Sequence, residues 1–239
     1  MGKVLIQQRR GKGTFTYRAH SHRSKGKIYN QPLKNVKETN ITGKITDLIH
    51  CAQHGGPLAE IKYSNKEVAL IAAPNEVRVG QEVVFGENAP VSTGNTLFLK
   101  DIPEGTPICN IESTPGKIAF CRSSGSAARI VAKFPDKIII QLPSKKQKKL
   151  SPDCKATIGI VAGSGRKEKP FVKAGNRFYL MKAKGKLYPR TSGVKMNAVD
   201  HPFGSGRGKN IGKPKNAPRF ASSGRNVGLI HARRTGRKR

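Results

Sequence analysis

Short apolar runs broken at regular intervals occupy the chain from about Thr39 to Val161, and they predict a protein built mainly of β-strands. Val and Ile are frequent in these runs, and turn-forming residues separate them at a spacing of roughly 8–12 residues, which is typical of small barrels or a sandwich. The predicted strands are Ile41–Ile49, Leu58–Tyr63, Val68–Ala72, Glu82–Phe85, Thr96–Leu99, Ile108–Glu112, Ile118–Cys121, Arg129–Phe134, Lys137–Leu142 and Ala156–Val161.

About ten strands are more than one small barrel of about five strands needs, so the pattern favours two barrels in tandem that join near Phe85–Val91. No segment before residue 170 has a helical period, whereas Ala174–Lys184 is a plausible short helix with a stop signal at Gly185. The lysines of 145–149 lie between two strands, as in a hairpin tip or a solvated sheet edge. After Lys186, the Gly-, Pro- and cation-rich composition cannot form a core.

The charge is strongly positive and unevenly distributed. The 239 residues contain 46 Lys and Arg against 14 Asp and Glu, for a formal net charge of +32. Residues 1–34 carry +9, residues 35–120 carry −3, residues 121–189 carry +14 and residues 190–239 carry +12. A near-neutral body between basic segments predicts a polyanionic partner that the basic segments contact.

Nucleic acid is the first candidate for this partner, and an anionic membrane surface is the second. The chain has no apolar run of about 18 residues and no basic amphipathic helix rich in Leu, Phe and Trp, so we expect no membrane partner. Its start does not resemble a signal peptide, and its four cysteines are widely spaced singles. We therefore expect reduced thiols in an intracellular protein.

Residues 1–36 form a predicted basic N-terminal arm. Aromatic residues alternate there with cations, a pattern suited to stacking on bases and contacting phosphates. The arm is either a solvated disordered tail or a segment ordered by RNA or DNA, and the second interpretation is favoured. Its candidate contacts are Arg9, Arg10, Lys12, Arg18, His20, His22 and Arg23.

A second candidate contact region is the segment 189–210, which is rich in Gly and Pro and has one acidic residue, Asp200. A loop of this length with no core needs a function or a partner to order it. RNA is favoured over DNA because no motif shaped for a DNA major groove is present. The candidate contacts here are Arg190, Lys195, Asn197, His201, Arg207, Lys209 and Lys213, with Arg122 and Arg129 near the second barrel.

No catalytic, metal or cofactor site is predicted. His50, Cys51 and His54 lack the paired cysteines of a structural zinc site. Phosphate-binding and dinucleotide-binding glycine patterns are absent, so no nucleotide cofactor is expected. His201 beside Asp200 is the one candidate general base, but no second catalytic group accompanies it, and a binding role is favoured.

Four segments carry a family resemblance that extends over essentially the whole chain: Pro189–Asp200, the following HPFGSGRGKN, Gly94–Glu112 and Cys154–Gly163. They closely resemble the L-two family of large-subunit ribosomal proteins, and IQQRRGKG with RAHSHR resembles its archaeal and eukaryotic branch. The resemblance implies an OB-like barrel at 37–87 and an SH3-like barrel at 88–170. It also implies basic extensions at 1–36 and 171–239, the latter including the short helix.

The resemblance implies a non-enzymatic, primary rRNA binder in the cytoplasmic ribosome. Its expected partners are large-subunit rRNA, neighbouring ribosomal proteins and small-subunit rRNA across the subunit interface. Its expected roles are stabilising rRNA near the peptidyl-transferase centre and supporting subunit association, tRNA binding and peptide-bond formation. Two rival hypotheses remain open: a peptidyl transferase that uses His201, and a general compactor of nucleic acid.

The chain departs at three positions from patterns of this family, two of them bacterial. His201 matches the histidine proposed to take part in peptide-bond formation, but Phe203 stands where the bacterial pattern has a second histidine. Ser205 replaces a Gly, and Ser192 replaces an Arg common at that place. A mechanism that needs the second histidine is therefore not expected here.

Overall fold

The computed structural model describes residues 3, 9, 12–18, 20–30, 40–87, 89–208, 210–212, 214 and 220. The chain divides into two compact units, one formed by residues 21–170 and the other by residues 1–20 with 171–239. Within the described ranges, no helix combines the length and apolar composition of a membrane span.

The regular structure of the unit 21–170 is almost entirely strand, which confirms that the protein is mainly β as predicted. The strands are β1 Asn40–Ile49, β2 Leu58–Tyr63, β3 Val68–Ala72, β4 Glu82–Gly86, β5 Thr96–Phe98, β6 Pro107–Cys109, β7 Ile111–Thr114, β8 Lys117–Phe120, β9 Ala128–Lys133, β10 Ile138–Gln141, β11 Gln147–Leu150 and β12 Lys155–Ile158. Ten form one sheet in the order β11-β10-β9-β6-β12-β5-β4-β1-β2-β3, and β7 pairs with β8.

Strands β1 to β4 enclose one apolar core. Alternate residues of β1, including Ile41, Gly43 and Ile45, are buried, as expected for a strand with one solvated face. Gly43 pairs with Tyr63 of β2, and a Cβ on Gly43 would lie 2.7 Å from the Tyr63 ring. The missing side chain therefore makes room for Tyr63, whose ring packs edge-on against Phe85 of β4 with centroids 6.1 Å apart.

A second core lies among the strands from β5 onward. It contains Ile130 of β9, Ile140 of β10 and Ala156 of β12. The two groups of strands join through a parallel contact in which Phe85 pairs with Thr96. A third apolar cluster contains residues of both groups, among them Leu58 of β2 and Cys109 of β6. The two larger cores are compatible with two barrels, and the assignment of residues 37–87 and 88–170 as OB-like and SH3-like stays a prediction.

Asn110 interrupts a segment that was predicted as one strand, Ile108–Glu112. Its φ of 49° lies in the left-handed region, which Asn tolerates better than most residues, so the segment is divided into β6 and β7. The Asn110 side chain donates to the carbonyl oxygen of Ala72 in β3 at 2.9 Å. The single-strand prediction was wrong because the pattern of apolar residues does not reveal a break in the strand at one polar residue.

The lysine-rich segment 145–149 includes a strand that was not predicted. Strand β11 pairs with β10 and forms one edge of the large sheet. Lys148 and Lys149 are exposed on it, in agreement with the edge interpretation. The strand was not predicted because its sequence, Gln147–Leu150, is mostly polar.

The arm root, residues 24–30, packs against the sheet rather than extending into solvent. Ile28 is buried in a cluster with residues of β2 and β3. Tyr29 donates its backbone N–H to a carbonyl of β3 at 3.1 Å, and Asn30 Nδ2 donates to Glu112 Oε1 at 3.1 Å. Residues 24–30 of the predicted arm therefore belong to the folded body.

Candidate nucleic-acid interface

The basic loop, residues 189–210, is held in shape by short-range backbone hydrogen bonds. Ser192 accepts from the N–H of Lys195 at 2.9 Å, beside a 3-10 turn at Gly193–Lys195. Met196 accepts from the N–H of Ser205 at 3.1 Å and so closes a larger turn. These contacts give the segment a defined shape without a strand ladder.

His201 and Phe203 form the buried centre of this loop. Their side chains are 5% and 9% exposed, and their ring centroids lie 5.0 Å apart. The backbone N–H of Phe203 donates to His201 Nδ1 at 3.0 Å. A neutral imidazole that accepts at Nδ1 carries its proton on Nε2, so Nε2 is a donor in this arrangement. The geometry therefore suits a brace or a donor better than a general base.

Two glycines allow the loop to close this tightly. A Cβ on Gly193 would collide with the His201 ring, and a Cβ on Gly204 would collide with the backbone carbonyl of Asn197. Ser205 adopts a φ of 69°, a conformation that favours glycine. Gly193 and Gly204 thus lie where the loop has no room for a side chain, and Ser205 lies where the backbone conformation favours glycine.

Lys3 of the N-terminal arm contacts the basic loop. Its backbone N–H donates to the carbonyl oxygen of Val199 at 2.8 Å, and its Nζ lies 3.4 Å from Asp200 Oδ1. Both charged side chains are well exposed, so their ion pair contributes little to stability. The contact places a positive charge beside the one acidic group of the loop, and sequence patterns gave no signal for it.

The polar candidates of the basic loop other than His201 lie on its surface. This exposed set consists of Arg190, Lys195, Asn197 and Arg207. Lys209 and Lys213 lie outside the described residues. A loop whose aromatic and imidazole rings point inward and whose cations point outward has the polarity expected for an RNA contact.

The arm candidates are also largely exposed. Those in contact with solvent are Arg9, Lys12, Arg18, His22 and Arg23, whereas His20 is half-buried and Arg10 lies outside the described residues. Arg122 and Arg129 are exposed on the unit 21–170. The described candidates of the basic loop belong to the other unit.

Helix α1, Ala174–Ala183, brings two further cations near Arg190 that the sequence interpretation had not selected. The helix ends in a left-handed turn at Gly185, with φ 60°, as its stop signal predicted. The N–H of Gly185 bonds to the carbonyl of Lys182 at 3.1 Å, and that of Lys186 to Met181 at 2.9 Å, the pattern of a Schellman motif. This reversal places Lys186 and Arg190 in the same cavity lining as Arg177.

The HCAQH segment forms a thiol–imidazole pair rather than a metal cluster. Cys51 Sγ lies 3.1 Å from His54 Nδ1. Burial raises the pKa of the Cys51 thiol, but hydrogen bonds from the Lys25 backbone and the His54 side chain lower it to about 6 overall. No group of three or more potential metal ligands occurs within the described ranges.

Comparison with known proteins gives one consistent result. Residues 92–221 match the family model of the ribosomal protein L2 C-terminal domain. Proteins named large ribosomal subunit protein uL2 are 48% identical to this chain in Methanosphaera stadtmanae and Methanothermobacter thermautotrophicus, and 47% identical in Archaeoglobus fulgidus. Each alignment covers 100% of both proteins.

Proposed function

The chain belongs to the large ribosomal subunit protein uL2 family, and from this premise we propose that it is a structural, rRNA-binding constituent of the large ribosomal subunit. Family membership assigns it to the ribosome in the cytoplasm, as a structural component rather than an enzyme. The observation that supports the RNA contact is the basic loop, because it holds a defined shape while its cations face outward.

The distribution of charge supports RNA as the direct partner. The body at 35–120 carries −3, while residues 190–239 carry +12. A general compactor of nucleic acid needs no near-neutral β body, whereas a protein with a defined place on a folded RNA uses such a body as a rigid base. Neighbouring ribosomal proteins and small-subunit rRNA belong to the same proposal as further partners.

The proposal includes the finer roles that the family resemblance implies. The chain binds large-subunit rRNA as a primary binder, stabilises its folding near the peptidyl-transferase centre, and supports subunit association, tRNA binding and peptide-bond formation. Its contribution to chemistry is the positioning of RNA. His201 acts by fixing the loop, because its Nδ1 is engaged by Phe203 and its side chain is buried.

A salt titration tests the RNA contact. The full chain is compared with a triple variant in which Arg190, Lys195 and Arg207 become Gln, on large-subunit rRNA. The logarithm of the binding constant falls as the logarithm of the salt concentration rises. Each lost phosphate contact makes this slope shallower by about 1, so the triple variant makes it shallower by about 3. Lys146, Lys149 and Lys169, which are exposed on the other unit, provide a control triple with equal charge loss.

Two outcomes would contradict the proposal. If the loop triple and the control triple weaken binding equally, the loop is not the specific interface. If His201→Gln lowers the chemical step of peptide-bond formation by about 10²-fold or more in fully assembled subunits, the histidine acts in catalysis. If His201→Gln lowers peptide-bond formation only because the protein fails to enter subunits, the result supports the positioning role.

A further inference from the structure

A cavity of about 480 Å³ lies within the unit formed by residues 1–20 and 171–239. Its size falls in the range of about 300–1,000 Å³ that holds small ligands. One wall comes from α1, a second from the segment that follows the helix, and Tyr17 of the arm adds to the lining. We call it the Tyr188 cavity.

The Schellman turn at Gly185 creates this cavity. It reverses the chain, so that Leu187 and Tyr188 lie in the same lining as Arg177 and Met181 of the helix. Helix termination therefore shapes the cavity, and the helix and its hydrogen-bonded C-terminal turn form part of its wall.

The chemistry of the lining combines aromatic rings with cations. Arg177 Cζ lies 5.3 Å from the centroid of the Tyr188 ring, within cation–π distance. Lys186 and Arg190 add two more positive charges, and no acidic residue is among the lining residues that the structure describes. Tyr17 supplies a second ring. Flat aromatic and guanidinium surfaces stack on nucleobases, and the cations favour a phosphate beside them.

We propose that the Tyr188 cavity binds one unpaired ribonucleotide of the RNA, with its base stacked among Tyr17, Tyr188 and the Arg177 guanidinium and its phosphate beside Arg190. This inference rests on the proposed RNA-binding function and adds a specific ligand to it. A paired base is stacked inside its duplex and cannot enter, so the occupant is a bulged or loop nucleotide. A neutral apolar ligand does not suit three cations.

A bulged RNA hairpin tests this assignment with the full chain. Three hairpins are compared: one with a single 2-aminopurine bulge, one with an abasic site in its place, and one fully paired. Base stacking corresponds to a preference of about 5- to 150-fold for the base over the abasic site. In Tyr188→Ala the ratio of affinities for the 2-aminopurine and abasic hairpins falls to about one, while the affinity for the abasic hairpin stays within about twofold. Tyr188→Phe keeps the wild-type ratio.

One control variant and one further test variant make the result specific. Tyr179 lies on the same helix, is 70% exposed and is not part of the cavity lining, so Tyr179→Ala leaves the ratio unchanged. If Tyr188→Ala fails to fold, Arg177→Gln serves as the second variant and lowers the ratio. A ratio near one in the wild type, or a ratio unchanged by these variants, overturns the cavity proposal. Absence of salt-dependent binding to all three hairpins and to rRNA contradicts the RNA-binding function itself.

Discussion

Replacing Gly204 with Ala is a direct perturbation of the basic loop. An added Cβ would overlap the carbonyl group of Asn197 and lie 2.5 Å from the carbonyl oxygen of Met196. Both obstacles are backbone atoms, so no side-chain rotation removes the clash and the turn has to open. The hydrogen bond from Ser205 N–H to Met196 is already 3.1 Å long, and opening breaks it.

The cost is that of overpacking a close-packed site, about 1–3 kcal/mol. If rRNA binds the closed loop, the same free energy weakens affinity by roughly 5- to 150-fold. Hydrogen exchange at the Ser205 amide reports the opening, and filter binding to large-subunit rRNA reports the affinity. Faster exchange and weaker binding are expected together.

Gly175→Ala is the matched control, because a Cβ there meets no atom within 4 Å and the position lies in α1. Ala is a better helix former than Gly by about 1 kcal/mol, so this variant binds at least as well as the wild type. Native exchange at Ser205 in Gly204→Ala would refute the steric reasoning. Fast exchange with undiminished affinity would show that rRNA does not require the closed loop.

Three further predictions concern particular groups. Glu112→Gln lowers the free energy of unfolding in urea by about 1–3 kcal/mol, because both carboxylate oxygens accept from buried donors, on Asn30 and Lys155, and an amide offers only one acceptor. The pKa of Cys51 in the folded protein, about 6, lies below its ordinary value of 9.0, so the thiolate stabilises the fold by at most about 4 kcal/mol; this contribution is full above about pH 9 and is lost as the pH falls through 6, and Cys51→Ser removes the dependence in urea titrations. Ser205→Val weakens rRNA binding in filter assays because a β-branched residue is strained by about 1–2 kcal/mol at a φ of 69°, whereas Ser205→Gly is tolerated.

Each has a result that would count against it. Glu82 is exposed, so the control Glu82→Gln should change the free energy of unfolding by less than about 0.5 kcal/mol. If Glu112→Gln changes it by as little, the buried contacts of Glu112 do not stabilise the fold. A wild-type stability that is flat from pH 6 to 8.5 would contradict a thiolate at Cys51. Equal binding by the Val and Gly variants at position 205 would show that backbone strain there is unimportant.

The strands of the first half were predictable because their apolar residues alternate and their turns carry the expected residues. Strands β2 and β3 begin and end at the predicted residues. Strand β11 was missed because an edge strand needs few buried residues, so its lysines resemble a loop. Asn110 was missed because a single left-handed residue leaves no periodic signal.

The candidate site was predictable in composition but not in arrangement. Charge and glycine content identified the segment 189–210, and the resemblance singled out His201. The contact from Phe203 to His201 Nδ1 and the collision of a Gly193 Cβ with the same ring depend on tertiary geometry that spacing does not reveal. Arg177 was missed for the same reason, since the turn at Gly185 decides which cations share its cavity.

Footprinting of the full chain on naked large-subunit rRNA distinguishes binding at a defined site from general compaction. We predict a small set of protected nucleotides that stays fixed as the protein concentration rises, and that loses part of its members when Arg190, Lys195 and Arg207 are replaced by Gln. Uniform protection that spreads with concentration and occurs equally on an unrelated RNA would contradict the account and would favour a general compactor of nucleic acid.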